Sequence, residues 1–224
     1  MTESTELTIR RYRAGDGERV RELNREAMAE TPEWVVDAPA TDLEDVRDHY
    51  LDAGGEFLVG EVDRRETSNS ERGGTTREPD GEVDRRETSN SERGGTIREP
   101  DGEVDRRETS NGERDRDIVA TGAFEPLTGW LSEHFDAAAG TGELSRVRVD
   151  PEMQGRGFGT RIVEELARRA RRRGYRALVL DTGADNDRAR GFYESLGYAC
   201  VGEETVTFDD VTLDLALYWR RVDG

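Results

Sequence analysis

Residues 154 to 159 read Gln-Gly-Arg-Gly-Phe-Gly, between a strand-like run, Leu144 to Val149, and an amphipathic stretch of helical spacing that runs to about Arg173. A glycine-spaced turn that opens a helix gathers backbone N–H groups with no carbonyl ahead of them, and the positive end of the helix dipole, at one spot. That is the chemistry a pyrophosphate needs. A dinucleotide fold would place Gly-x-Gly-x-x-Gly early in a βαβ unit with an acidic residue about 20 positions on, and a P-loop would end in Gly-Lys-Ser/Thr. The chain contains no lysine and fits neither pattern.

What remains is Gln154-x-x-Gly157-x-Gly159, preceded by Arg146-Val-Arg-Val-Asp-Pro151 and followed later by Asn186-Asp-Arg-Ala-Arg-Gly-Phe-Tyr-Glu-Ser-Leu-Gly-Tyr198. This pair of segments resembles the GNAT superfamily of acyl-CoA-dependent N-acetyltransferases, in its motif Gln/Arg-x-x-Gly-x-Gly/Ala and its later Asn-x-x-Ala-x-x-Phe-Tyr-Glu-x-x-Gly-Phe/Tyr segment. The resemblance implies acetyl-CoA as cosubstrate and transfer of its acetyl group to a primary amine by direct attack in a ternary complex. It also implies the contacts. Backbone groups of Val147, Arg148 and Val149 would pair with pantetheine like an added strand. The N–H groups of Gln154, Gly155, Arg156, Gly157, Phe158, Gly159 and Thr160 would hold the pyrophosphate, and Asn186 would bond the pantetheine arm. A Cβ at Gly157 or Gly159 would crowd the phosphates or force an unfavourable φ. Arg156 and Arg161 stand where they could add charge, the alternative being solvated side chains.

Amide formation from a thioester requires a neutral amine and a proton for the departing thiolate. Lysine-like and terminal amines have pKa values of about 10.4 and 8 and are mostly protonated at neutral pH, so a base is needed. Glu143, eleven residues before Gln154, is the candidate, because a glutamate at this offset is the base in the histone-acetylating branch that the region resembles. An ordinary strand-end carboxylate is the other reading. Tyr193, seven residues after Asn186, is the candidate acid for the thiolate, as the resemblance implies. Its alternative is a core aromatic on a helix face with Ala189 and Leu196.

The elements that must position these groups follow from periodicity. Leu7 to Tyr12 alternates as an edge strand, and Gly15 to Glu30 carries Val20, Leu23, Ala27 and Met28 at helical spacing. Thr41 or Asp42 is expected to cap a second helix running to about Leu51. Strands 56–62 and 117–124 form a hairpin, and a strand at 143–149 precedes a helix over 157–173, with Ile162, Val163, Leu166, Ala167 and Ala170 on one face and Gly174 as its stop. Ala177 to Asp181 reads as a strand, Asp187 to Leu196 as a helix, and Tyr198 to Phe208 with Val211 to Arg220 as a last hairpin. The resemblance implies this same order. It gives an α/β (α+β) fold, one domain over 1–224 with a central mixed, mostly antiparallel sheet of about seven strands flanked by about four helices.

The first hairpin is interrupted. Residues 60 to 80 read GEVDRRETSNSERGGTTREPD, residues 81 to 101 repeat them with Thr76 replaced by Ile97, and a partial copy begins at Gly102, a period of 21 residues. Each unit offers little apolar surface beyond Val62, Val83 or Val104, too little for a stacked repeat to build a core. A flexible, disordered insert over 63–116 is expected.

Fifty-one acidic against 33 basic residues give a formal charge of −18, and every basic residue other than the two histidines is arginine. Such a surface repels nucleic acid and anionic membranes, so neither is an expected partner. The balance suits a salt-adapted, halophilic, cytoplasmic protein, although codon bias toward arginine would equally remove lysine. Cys200 is the lone cysteine, read as core packing, and two histidines are too few for a histidine-rich metal site, so no metal is expected. In the family the acceptor is bound by the loop around Glu30 to Ala40 with Trp34, by Pro126 to Gly142 with Trp130, and by the final hairpin. Glu30, Glu33, Asp37, Glu133 and Asp136 there would suit a cationic amine, small molecule or protein. A monomer or homodimer is compatible with all of this, and a non-catalytic acyl-CoA-binding module is the second reading.

Overall fold

The run Glu56–Asp63 is apolar on both faces rather than alternating, and the computed structural model, which describes residues 6–29, 40–63, 116–135, 140–208 and 211–223, gives the reason. The run is strand β2, an interior strand covered from both sides. Leu58 and Val62 point into one core and Phe57 and Val59 into the other. Around it the order is β1 (Thr8–Arg11), α1 (Gly17–Met28), β2, β3 (Arg116–Pro126), α2 (Leu131–His134), β4 (Thr141–Val149), α3 (Phe158–Arg172), β5 (Ala177–Gly183), α4 (Asp187–Ser195), β6 (Ala199–Phe208) and β7 (Val211–Arg221). One seven-stranded sheet results, in the order β1-β2-β3-β4-β5-β7-β6, antiparallel at every pair except β4–β5. This is the mixed, mostly antiparallel sheet that the sequence leads one to expect.

Helix α3 covers one face. Ile162, Val163, Leu166 and Ala170 are fully buried against Leu58, Ala120, Leu144 and Leu178, each large side chain contributing about 1.5–3 kcal/mol of apolar burial. Gly174, at φ +90°, ends the helix. On the other face Val20 and Leu23 of α1 pack against Tyr50, Phe57 and Val59. Buried Glu56 ties β2 to its surroundings through Arg11 (2.6 Å) and Arg173 (3.0 Å). Strands β2 and β3 pair out to Asp63↔Arg116, so residues 64–115, which hold most of the repeat, connect two adjacent strand ends.

Two expectations are corrected. The segment after Thr41 is not one capped α-helix but a 3₁₀ turn, Thr41–Leu43, and a π-helical segment, Arg47–Asp52. The Asp42 carboxylate is taken by Arg146 and Tyr50, and the local capping bond comes instead from Asp45, whose Oδ1 accepts from the Asp48 N–H at 3.0 Å. Cys200 is exposed rather than in the core, because β6 is the terminal strand of the sheet and carries a bulge at Cys200/Gly202.

Candidate active site

Strands β4 and β5 begin as neighbours and then part. Their parallel pairing covers only Thr141↔Ala177, Gly142↔Leu178 and Glu143↔Val179. Among the described residues, β4 continues beyond Glu143 to Val149 paired only with β3, while β5 continues to Gly183 paired only with β7. A wedge opens between them, a cleft of about 840 Å³. Val147, Arg148 and Val149 form one wall, Asp181 to Gly183 the other, and the turn Gln154, Gly155, Gly157, Phe158, Gly159 and Thr160 the floor. Asn186 and Tyr193 of the α4 region line it as well. Of the residues singled out from the sequence, Arg156 stands outside the lining, and Glu143 sits at the apex where the strand pairing ends.

Two glycines of the floor answer different demands. Gly157 holds φ +78° with open space at its Cβ position, so the demand there is conformational. It precedes α3 as the N-cap and offers no side chain to the helix, whose first turn carries no acidic residue. At Gly159 the constraint is different. A Cβ would meet the Phe192 ring at 3.2 Å, so this glycine lets α4 lie against the start of α3. Gln154 braces the turn, its Nε2 donating to Val149 O at 3.3 Å and its Oε1 accepting from Arg188. Arg188 was not singled out from the sequence; only the fold brings it to the turn. Arg161 donates to Leu7 O at 2.7 Å, which ties α3 to the chain entering β1 rather than leaving the charge at the turn. Asn186 caps α4, its Oδ1 accepting from the Ala189 N–H at 3.0 Å.

At the apex the carboxylates gather. Glu125 is the cross-strand partner of Glu143, and Asp181 lies two residues beyond the paired Val179 on β5. Burial first, then the Asp181 and Glu125 charges, push the Glu143 pKa up to about 7 against the pull of Arg146. Glu125 is itself raised by burial, offset by His49, whose Nε2 lies 3.2 Å from it. Neither Asp181 nor Glu125 was picked out from the sequence, because strand register alone makes them neighbours of Glu143.

Tyr193 is half-buried, packs edge-on to Tyr198 at 5.7 Å between ring centres, and also faces the cleft. Burial raises its pKa to about 12, with Arg148 lowering and Asp181 raising it, so the hydroxyl holds its proton at neutral pH. Packing and cleft-lining therefore coincide in this residue.

Strand β4 carries a bulge beside the apex. Thr121 pairs with Arg148 and Ala123 with Ser145, so Arg146 and Val147 together oppose Gly122. Arg146 adopts φ +54°, alone among the described non-glycine residues. Its Nε donates to Asp42 Oδ2 at 2.7 Å and its Nη2 to Asp42 Oδ1. Tyr50 donates to the same carboxylate at 2.5 Å.

In the segment expected to meet an acceptor, Trp130 is half-buried beside a small cluster of Leu131, Val179 and Leu217 and meets the His134 ring edge-on at 5.2 Å. Glu133 is exposed. Glu30, Glu33, Trp34, Asp37 and Asp136 lie outside the described residues. Among the described residues no group of three or more metal-ligating side chains is arranged to hold an ion, and no helix is long and apolar enough to cross a membrane.

The acetyltransferase (GNAT) family profile matches residues 77–198. An uncharacterised N-acetyltransferase of Methanocaldococcus jannaschii is 38% identical over 56 residues, 25% of each chain. The mycothiol acetyltransferase of Nocardia farcinica is 37% identical over 70 residues, 31% of this chain and 23% of its own. These alignments thus span about a quarter of the curated relatives' length. Among solved structures, yncA of Salmonella typhimurium, assigned as an acetyltransferase and solved with its cofactor acetyl-CoA, superposes with a TM-score of 0.60 at 18% identity, over 97% of this chain and 94% of that one. At that identity the likeness is one of fold.

Proposed function

The chain belongs to the GNAT acetyltransferase family, and on that premise we propose that it is an N-acetyltransferase that moves the acetyl group of acetyl-CoA to a primary amine by direct attack in a ternary complex. The observation that carries this reading is the wedge between β4 and β5, whose pairing stops at Glu143↔Val179 and whose floor is the glycine N-cap of α3. The donor set suits acetyl-CoA. The edge of β4 that faces β5 past Glu143, at Val147 to Val149, suits the amides of a pantetheine arm, the N–H groups from Gln154 to Thr160 suit a pyrophosphate, and Asn186 lines the same cleft.

When bound, acetyl-CoA supplies the acyl group as a thioester. Glu143, with a pKa raised to about 7, takes one proton from the acceptor ammonium, directly or through water, and leaves its nitrogen lone pair available. Tyr193 gives its hydroxyl proton to the departing sulfur as the C–S bond breaks and the C–N bond forms, and the second proton, shed by the new amide nitrogen, returns to the tyrosine oxygen through water. Asp181 and Glu125 raise the proton affinity of Glu143 and favour a cation at the apex. Acetyl-CoA as donor supports a cytoplasmic protein, and the −18 charge supports one adapted to high salt. Residues 1–224 are read as a single acetyltransferase domain interrupted over 63–116.

The test is release of CoA thiol from acetyl-CoA against a panel of amines in molar KCl, with the product identified by mass. Binding of acetyl-CoA without release for any amine would instead favour a non-catalytic acyl-CoA-binding module.

A further inference from the structure

A residue in left-handed geometry at the first position of a β-bulge is normally glycine. Here it is Arg146, at φ +54°, whose Cβ disfavours that conformation. A strained residue of this kind persists where its surroundings over-determine it, and three contacts do so. The guanidinium is held by Asp42 through Nε (2.7 Å) and Nη2. The carbonyl accepts from Thr121 Oγ1 at 3.0 Å. The preceding residue, Ser145, has its hydroxyl 3.4 Å from the Tyr50 OH, which also donates to Asp42. The ion pair is largely sheltered, with side-chain exposures of 24% for Arg146 and 11% for Asp42. Asp42 is 104 residues away in sequence and belongs to the 3₁₀ turn, not to the sheet.

We propose that the Asp42–Arg146 ion pair is a clamp that keeps residue 146 in left-handed geometry, holds the β4 bulge, and so sets the edge Val147–Val149 against which acetyl-CoA is bound. Arg146 and Asp42 are thus positioning residues. The inference rests on the acetyl-CoA reading of the wedge. Its rival is that Arg146 acts only as a positive charge near Glu143.

Two double variants separate these roles, because both lack both charges and differ only in the Cβ at position 146. Asp42→Ala/Arg146→Ala keeps the strain and loses the clamp, so acetyl-CoA affinity measured by calorimetry should fall about 5- to 30-fold. Asp42→Ala/Arg146→Gly removes the strain as well, and its affinity should return to within about threefold of wild type. Equal affinities in the two doubles, whether both reduced or both unchanged, would overturn the clamp. Should the alanine double fail to fold, Asp42→Asn is the substitute; its loss of affinity should be reversed by adding Arg146→Gly, and absence of that reversal overturns the inference equally. Wild-type protein that does not bind acetyl-CoA would sink the functional reading itself, whereas wild-type binding with indistinguishable doubles would sink the clamp alone.

Discussion

At Glu143 the same burial that raises the pKa to about 7 makes two measurable statements. As the proposed base it must be ionised, so kcat/KM should rise with pH through about 7. Glu143→Gln should remove that limb; an unchanged profile would put the base elsewhere. The second statement concerns stability. The ordinary value is 4.5, so between that and about 7 the unfolded chain has lost a proton that the folded one retains. Stability from this group is therefore present below pH 4.5 and lost as pH rises through about 7. Glu143→Gln does not titrate, so its melting temperature should gain on wild type between pH 5 and pH 8, and a constant difference would contradict the raised pKa. Tyr193→Phe keeps the ring packing against Tyr198 and loses only the hydroxyl. Turnover should drop about 10- to 10⁴-fold with acetyl-CoA affinity nearly intact. Full activity would leave Tyr193 as packing alone.

At the scale of elements, the two helices that border the cleft are set by their N-termini. Gly157 at φ +78° starts α3, and a side chain there is strained whatever the space around it. Gly157→Leu should abolish acetyl-CoA binding while the core face of α3 keeps the fold; a calorimetric titration showing unchanged affinity would remove the turn from the site. Asn186 starts α4 through its bond to the Ala189 N–H. Asn186→Ala should cost about 1 kcal/mol of stability, and Asn186→Asp, which keeps an acceptor, much less. Equal thermal shifts for the two would mean that the cap contributes little.

For the whole molecule, a charge of −18 opposes compaction, and molar salt shortens the Debye length to about 3 Å, screening that repulsion. The ion pairs that join elements, such as Arg10–Asp16 at 2.7 Å and Arg173–Glu56 at 3.0 Å, are short and partly buried and are screened less. The melting temperature should therefore rise from 0.1 to 2 M KCl, and a fall would mean that surface ion pairs outweigh the net charge. The repeat joins strand ends already paired at Asp63↔Arg116. Replacing residues 64–115 by a two-residue Asn-Gly turn should leave folding, acetyl-CoA affinity and rate near those of the full chain. Loss of activity would make the repeat a structural or substrate-binding element.

What the sequence determines by itself is local. The apolar face of α3, the positive-φ glycine before it, the stop at Gly174 and the order of the seven strands follow from side-chain periodicity and backbone freedom within a few residues, whereas the short α2 and the 3₁₀ and π segments after Thr41 do not. The Gln154 turn and the Asn186 segment were legible for the same reason, each being a short stretch that must start a helix. The apex was legible only in part. Glu143 stands out only through the family resemblance, which gives its offset from Gln154 a meaning, and Asp181 and Glu125 become its neighbours through strand register. The wedge itself exists because β4 and β5 stop pairing after Val179, a property of neither strand alone. Asp42 reads locally as a helix cap, yet a charge-assisted pair with Arg146, 104 residues away, outcompetes the local N–H. Cys200 reads as core by its apolar neighbours, and the sheet leaves its strand at the edge. In each case tertiary structure decided the outcome, because burial, charge coupling and pairing depend on which distant groups fill the space around a residue, and sequence spacing does not encode that distance.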